Sequence, residues 1–110
     1  MKNYFIKSHE RDGTCYHEFY RGKWKNNDFW NESSICIDDD DMAVRFVELI
    51  RKYVPSYDYY GETEITLEQW QQIKNEGLLT ADKTADIINQ AENWMAETFK
   101  EHKVFTILGI

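Results

Sequence analysis

The residues best suited to nucleophilic chemistry are Cys15 and His17, which lie two positions apart near the start of the chain. On a β-strand two such residues share a face, so an imidazole could activate a neighbouring thiol. A catalytic cysteine also needs an electropositive setting, an orienting acid and an oxyanion hole. No motif that supplies these groups adjoins the pair, so we predict no catalytic residue. We expect Cys15 and Cys36 to be buried, reduced thiols.

Four consecutive aspartates, residues 38–41, follow a short apolar run in the sequence ICIDDDDMAVRF. One of them can cap the next helix by accepting a backbone hydrogen bond, and Asp39 or Asp40 is the expected cap. Capping does not need four carboxylates, so the surplus indicates a basic partner, a cation or a role in solubility. Calcium loops space their ligands at alternate positions around a glycine and end on a glutamate, which IDDDDM lacks. We therefore predict no metal and no cofactor.

A second acidic stretch, SYDYYGETE, combines tyrosines with carboxylates between two helical patterns. This composition is typical of protein-binding surfaces, although a solvated loop with one or two tyrosines turned inward explains it equally well. Glu62 and Glu64 could also act as an acid–base pair, but the sequence does not fix their separation. We predict that both acidic stretches contribute to one partner-binding surface. Its expected residues are Asp39, Asp40, Asp41, Tyr57, Asp58, Tyr59, Tyr60, Glu62 and Glu64.

Length and charge narrow the class of protein. The chain has 110 residues, of which 42% are hydrophobic, so one domain can bury a core without disulfides or metal. Its 13 Lys and Arg against 20 Asp and Glu give a net charge of −7. This balance argues against direct binding to nucleic-acid phosphates and favours a basic partner. The start of the chain lacks the apolar run of a signal peptide, and no segment approaches the roughly 20 apolar residues that span a bilayer, so we expect a cytoplasmic protein without membrane contact.

The elements that must position these residues begin with a predicted hairpin. Asp12-Gly13 is a strong two-residue turn signal between runs rich in tyrosine, phenylalanine, isoleucine and threonine. In the register that this turn dictates, His9 opposes Tyr16, and His9 and His17 lie on opposite faces. That arrangement argues against one metal site shared by the two histidines.

The rest of the chain predicts an α+β domain over residues 1–110. A polar segment that holds three aromatic residues leads into SSICID, a third strand, and the apolar spacing then predicts a helix over 43–54. A capping box at Thr66 starts a short helix that ends at Gly77, and Thr80 opens a longer helix. The final KVFTILGI is apolar throughout, as in a central strand. We therefore expect a mostly antiparallel sheet of an N-terminal hairpin, a third strand and a C-terminal strand, covered by about three helices.

Three segments of this small acidic chain, SICIDDDD, YDYYGETE and FTILGI, resemble the immunity proteins of bacterial contact-dependent growth inhibition and related polymorphic toxin systems. Those families are diverse in fold, so no functional residue is carried over. The resemblance implies a cognate toxin domain, often a nuclease, that is bound in the cytoplasm and neutralised at its active site. An acidic, aromatic surface would compete with nucleic acid for a basic cleft.

Two other functions stay open. One is a small enzyme that uses Cys15 and His17 or a carboxylate pair, and a deep pocket with converging polar groups would favour it. The other is an acidic adaptor or nucleic-acid mimic that binds a basic host protein.

Overall fold

The computed structural model of the protein describes residues 2–42 and 44–109, which form an α+β fold. Five strands and four helices follow one another along the chain, and one 3-10 turn, Ser8–Glu10, follows the first strand. In chain order they are β1 (Phe5–Lys7), β2 (Tyr16–Arg21), β3 (Ile35–Asp38), α1 (Asp39–Met42), α2 (Val44–Tyr53), β4 (Glu62–Thr66), α3 (Leu67–Gly77), α4 (Lys83–Glu101) and β5 (Val104–Leu108).

The five strands form one antiparallel sheet in the order β1-β3-β2-β5-β4. The expected N-terminal hairpin is wrong, because β1 pairs with β3 and not with β2. Phe5 lies opposite Ile37, and β2 lies on the other side of β3. The first three residues of β3, Ile35–Ile37, are buried whichever face of the sheet they point to. A strand buried on both faces is favoured inside a sheet, and this preference outweighs the local turn signal.

The Asp12-Gly13 pair still bends the chain, within the loop that carries it from β1 past β3 to β2. Gly13 has a φ of 103°, and the Arg11 side chain donates a hydrogen bond to its carbonyl oxygen. The sequence therefore identified a position that needs glycine, although it misassigned the pair of strands that the turn serves.

The main core lies between one face of the sheet and the helices. Phe105 is fully buried at its centre, on the inner strand β5, which is buried along its whole length as expected. Several aromatic rings pack against Phe105, mostly edge to face, and they come from β2, α3 and α4: Phe19, Trp70, Trp94 and Phe99. Such rings contribute large apolar areas, so this cluster supplies much of the burial that holds the helices on the sheet.

The helix boundaries follow from local capping chemistry. The capping box predicted at Thr66 is confirmed: its hydroxyl accepts from the Gln69 backbone at 3.2 Å, and the Gln69 side chain accepts from the Thr66 backbone at 2.9 Å. The long helix α4 starts at Lys83 and not at Thr80 as expected. Asp82 is its N-cap, because the Asp82 carboxylate accepts the Thr84 N–H. α2 ends at Tyr53, two residues before Pro55, as predicted.

No helix of the described ranges, α4 with its 19 residues included, combines the length and the apolar composition needed to cross a bilayer.

The positive φ of Gly13 predicts the cost of a β-branched residue there. Gly13→Val should lower the free energy of unfolding by about 1–3 kcal/mol, because an L side chain is strained in that conformation. Thr14→Val is the matched control, since Thr14 is also exposed and already β-branched. Denaturant unfolding measures both variants. Equal stability of Gly13→Val and wild type would contradict this turn geometry.

Candidate partner-binding surface

The two acidic stretches of the sequence meet at one end of the sheet. β3 ends at Asp38, opposite the start of β2, and β4 starts at Glu62, opposite the end of β5. The Gly109 N–H donates to the Gly61 carbonyl at 2.7 Å, which fixes the segment before β4 to the end of β5. The antiparallel register therefore places residues 38–40 and 58–61 at the same end of the sheet, although about twenty positions separate them in sequence.

A three-residue contact joins these segments. The Asp39 carboxylate lies 2.7 Å from His17 Nε2 and also accepts a hydrogen bond from the Tyr59 hydroxyl on the same oxygen. Because an ionised carboxylate only accepts, Nε2 must carry the imidazole hydrogen. The His17 and Tyr59 rings pack edge to face with centroids 5.0 Å apart. Strand β2, the start of α1 and the segment before β4 are thereby tied together.

The environment of Asp39 keeps its carboxyl ionised. Desolvation alone would raise the pKa of Asp39, but hydrogen bonds from Tyr59 and His17 outweigh it and lower that pKa below its ordinary value. The same hydrogen bond to Asp39, helped by desolvation, raises the pKa of Tyr59 to about 12. The site therefore holds a neutral tyrosine hydroxyl against a permanent negative charge at neutral pH.

The exposed part of this region presents one aromatic ring among carboxylates. The Tyr60 side chain is 77% exposed and packs on the half-buried Tyr59 ring at 5.0 Å between centroids. The Asp58 carboxylate accepts the Tyr60 N–H at 3.0 Å, which closes a tight turn. Asp40 on α1 is also exposed, and its charge helps to raise the pKa of Tyr59. We call Asp39, Asp40, Asp58, Tyr59 and Tyr60 the acidic end.

The aspartates of residues 38–41 have four different roles. Asp38, and not Asp39 or Asp40 as expected, is the cap: its Oδ1 accepts the Asp40 N–H at 2.8 Å at the start of α1. Asp39 binds His17 and Tyr59, and Asp40 is the exposed member. Asp41 is only 8% exposed, with Lys2 Nζ at 2.8 Å and Lys83 Nζ at 3.5 Å. Asp41, one of the residues predicted for the partner surface, is therefore buried and paired with two lysines of its own chain.

Tyr57, another residue predicted for the partner surface, is buried. It is 6% exposed and packs in the main core, where burial strongly raises the pKa of its hydroxyl. One tyrosine of the acidic stretch is therefore turned inward, as the alternative interpretation of that stretch allowed.

Glu62 and Glu64 lie beside the acidic end and not within it. Like Thr66, they are exposed residues of β4, and they alternate with the buried Thr63 and Ile65, so they project from the face of the sheet opposite to the helices. Glu62 is the first residue of β4 and lies next to the acidic end. Glu64 lies further along the strand, where it pairs with Thr106 of β5, and Thr106 pairs with Tyr20 on its other side.

The prediction of a buried thiol is correct for Cys36 and wrong for Cys15. Both thiols are free, and Cys36 is buried beside the Ser8 hydroxyl, with burial raising the pKa of its thiol to about 11. Cys15, however, is exposed, because it precedes β2 in the crossing loop. The second ring nitrogen of His17 is buried without a hydrogen-bond partner and Nε2 is bound to Asp39, so the imidazole forms no hydrogen bond with the Cys15 thiol. This geometry gives the enzyme alternative no thiol–imidazole pair.

A groove of about 330 Å³ opens next to the acidic end, between the N-terminal residues and α1. It is lined by Lys2, Asn3, Ile6, Tyr16, Asp38, Asp40 and Asp41. Its charged groups are one lysine and three aspartates, and no cysteine or histidine lies among them. Across residues 2–42 and 44–109, no three His, Cys, Asp or Glu side chains converge as metal ligands would.

The sequence did not predict a second region with defined polar contacts, which is centred on the Glu18 carboxylate. This carboxylate is 1% exposed and accepts the backbone N–H groups of Trp30 at 2.7 Å and Asn31 at 2.9 Å. It thereby fixes Trp30 and Asn31 on the face of the sheet opposite the helices. These two residues belong to the aromatic loop between β2 and β3, residues 22–34, whose Ser33 carbonyl accepts from the Trp94 indole on α4. A glutamate between residues that pack into a sheet was the available signal, because a buried carboxylate needs dedicated donors.

Comparisons with known proteins match this chain to no family model, no curated protein and no solved structure.

The contact at Asp39 makes a testable contribution to stability. Asp39→Asn should lower the free energy of unfolding by about 1–2 kcal/mol at neutral pH, because two donors then face a neutral acceptor. Since the pKa of Asp39 is lowered in the folded state, its contribution is complete above the unfolded value of about 3.9 and is lost as the pH falls through the folded value. The difference between variant and wild type should therefore shrink below about pH 4. Urea unfolding at several pH values measures this difference.

Asp40→Asn is the matched control for that experiment, because Asp40 is exposed and its carboxylate lies outside the His17 contact. Its unfolding should change by less than about 0.5 kcal/mol. If Asp39→Asn were no less stable than Asp40→Asn at neutral pH, the three-residue contact would contribute nothing to the fold.

Proposed function

We propose that the protein is an inhibitory binding protein of the immunity type, which neutralises a cognate toxin domain by covering its basic active-site cleft. The acidic end is the part of the molecule that makes this contact. The observation that carries the proposal is the exposed Tyr60 ring, which packs on Tyr59 and whose backbone N–H is bound by the Asp58 carboxylate. A nuclease is the toxin class that fits best, because its cleft must be basic to bind phosphates.

Charge supports the first step, the encounter of the two proteins. The chain carries a net charge of −7. Among the ion pairs of the described residues none involves the Asp40 or Asp58 carboxylate, in contrast to Asp41, and Lys83 donates only to the Asp40 carbonyl oxygen. Complementary fields speed association by guiding partners into contact, and they act over about 8 Å at physiological ionic strength.

Rigidity supports the second step, retention of the partner. Tyrosine is enriched among the residues that dominate binding energy, and its contribution is larger when the ring is already fixed before binding. Tyr60 meets this condition, because its N–H is bound to Asp58 and its ring packs on Tyr59, which is itself held by Asp39. The exposed ring therefore loses little further freedom when it enters a pocket of the partner.

Neutralisation of the exposed carboxylates should slow association without unfolding the protein. In Asp40→Asn/Asp58→Asn, asparagine can still accept the Tyr60 N–H, whereas the charge that guides a basic partner is gone. We expect the association rate constant to fall about three- to ten-fold at low salt, with a smaller difference at high salt. The measurement is surface-plasmon kinetics with the partner that the wild-type protein captures, identified by mass spectrometry.

The matched control removes the same charge elsewhere. Glu32 and Glu101 are exposed and precede β3 and β5, so they lie at the opposite end of the sheet. Glu32→Gln/Glu101→Gln should retain most of the wild-type association rate. Equal slowing in both double variants would mean that only total charge matters, and an unchanged rate in Asp40→Asn/Asp58→Asn would remove the acidic end from the interface.

Truncation of the exposed ring should act on dissociation. Tyr60→Ala should raise the dissociation rate constant by about ten-fold or more while changing the association rate little, because an anchor acts after the encounter. Tyr60→Phe should bind nearly as well as wild type if ring area, and not the hydroxyl, supplies the contact. Dissociation of the Tyr60→Ala complex at the wild-type rate would show that Tyr60 is no anchor.

The captured partner also discriminates between functions. A nuclease or other toxin domain whose activity is lost on binding supports the immunity function. A DNA-binding host protein captured through the same residues would replace it with the adaptor or mimic.

A further inference from the structure

The two edge strands of the sheet, β1 and β4, differ in the surroundings of their free backbone groups. At the β1 edge, the Lys7 N–H donates to the Glu10 side chain at 2.7 Å. Just before β1, the Tyr4 N–H donates to the Gln90 side chain at 2.8 Å. The chain therefore satisfies donors along the short strand β1 with its own side chains, which prevents them from pairing with another strand.

The register of β4 identifies the backbone groups that face its free edge. The Gly109 N–H donates to the Gly61 carbonyl, and in an antiparallel pair every second residue exchanges hydrogen bonds with the neighbouring strand. Counted from this pair along the register, the N–H and carbonyl groups of Glu62 and Glu64 point away from β5. We call these outward-facing backbone groups of Glu62 and Glu64 the open edge.

The open edge is unoccupied by the chain itself. Its N–H and carbonyl groups form no hydrogen bond with any other group of residues 2–42 and 44–109. The next donor that points outward, the Thr66 N–H, is bound by the Gln69 side chain and is therefore closed. An edge of this kind is a template on which a further strand can pair.

The carboxylates beside the open edge are unpaired. Glu62 and Glu64 project their exposed side chains from the face of the sheet opposite to the helices. Glu68, in the first turn of α3, adds a third exposed carboxylate close by in the chain. None of the three belongs to an ion pair of the described residues.

Two basic residues border this region without neutralising it. Lys103 directly precedes β5, so the register places it at the far end of β4, beyond the open edge. The guanidinium of Arg51 lies 5.8 Å from the centroid of the Tyr57 ring, which packs in the main core on the helical side. The carboxylates of β4 are therefore free to meet cations of a partner, and the net charge of −7 acts in the same direction.

A second copy of this chain does not fit the open edge. If two β4 strands paired there in antiparallel fashion, glutamates would lie opposite glutamates, and like charges directly opposite destabilise a strand pair. A strand with lysine or arginine at alternate positions has the opposite property. Its backbone completes the ladder, while its cations lie beside Glu62 and Glu64 on one face.

We propose that the open edge of β4 binds an extended, basic segment of another protein, which adds a sixth strand to the sheet. Backbone hydrogen bonds supply the pairing, and the alternating cations of the segment select it among extended chains. This inference goes beyond the proposed function, because it depends on the backbone and carboxylates of β4 and not on the Tyr60 ring.

The test is amide hydrogen exchange, measured by NMR on the isotope-labelled full chain with a short peptide in which lysine and valine alternate. One counterpart carries a methyl group on every backbone amide, so it keeps the charge and lacks the donors. A second counterpart has glutamate in place of lysine. We expect the lysine peptide to slow exchange of the Glu62 and Glu64 amides by about ten-fold or more, because their N–H groups then enter hydrogen bonds. The Thr63 and Ile65 amides, which already face β5, should change little.

The counterparts should protect neither glutamate amide. Binding of the lysine peptide without protection of these amides, equal protection by either counterpart, or no binding would overturn the proposal. Protection that rises with protein concentration in the absence of peptide would identify a second copy as the occupant and would also overturn it.

Variants test the contribution of charge. Glu62→Gln/Glu64→Gln should weaken binding of the lysine peptide by about ten-fold or more. The matched control, Glu32→Gln/Glu48→Gln, removes two exposed carboxylates from the aromatic loop and α2 and should leave that binding unchanged. Thermal unfolding of each variant verifies the fold. Unchanged affinity in Glu62→Gln/Glu64→Gln would overturn the proposal, whatever partner the acidic end captures.

Discussion

The carboxylate of Asp39 ties together three parts of the chain that are distant in sequence. It belongs to the start of α1, directly after β3, and it contacts His17 on β2 and Tyr59 before β4. The Asp39 side chain is 30% exposed, so the carboxylate stays partly hydrated while it accepts two hydrogen bonds. A carboxylate in this position avoids most of the penalty of full burial and still gains charge-assisted hydrogen bonds. The neighbouring surface is connected to this contact, because the Tyr60 ring packs on Tyr59 and the Asp58 carboxylate accepts the Tyr60 N–H.

Strand β2 positions both exposed regions through two adjacent residues. His17 and Glu18 are both almost completely buried, and because strand side chains alternate, they point to opposite faces of the sheet. His17 meets Asp39 on the helical side, whereas Glu18 receives the backbone of Trp30 and Asn31 on the other side. Each polar group thereby fixes a segment that lies outside the strands. The placement of β2 in the interior of the sheet is therefore a precondition for both regions.

The sequence predicted features that depend on near neighbours and failed on those that depend on distant ones. The Thr66 capping box, the end of α2 before Pro55 and the buried C-terminal strand follow from local pattern and are confirmed. The hairpin failed because strand pairing is decided by which strand is buried on both faces, and β3 lies more than twenty residues after β1. Turn chemistry alone cannot contain that information.

The same distinction explains the acidic residues. Four identical aspartates in a row carry no signal that separates a cap, a bridging acceptor, an exposed charge and a lysine-paired group. Contacts with residues distant in sequence decide those roles. Lys2 and Lys83 pair with Asp41, and the Tyr59 hydroxyl donates to Asp39. Since this pairing removes Asp41 from the surface and leaves Asp40 exposed, the fold converts a uniform acidic run into a small charged area next to one aromatic ring. Charge density in a sequence thus bounds the kind of partner, whereas tertiary pairing decides which carboxylates are free to meet it.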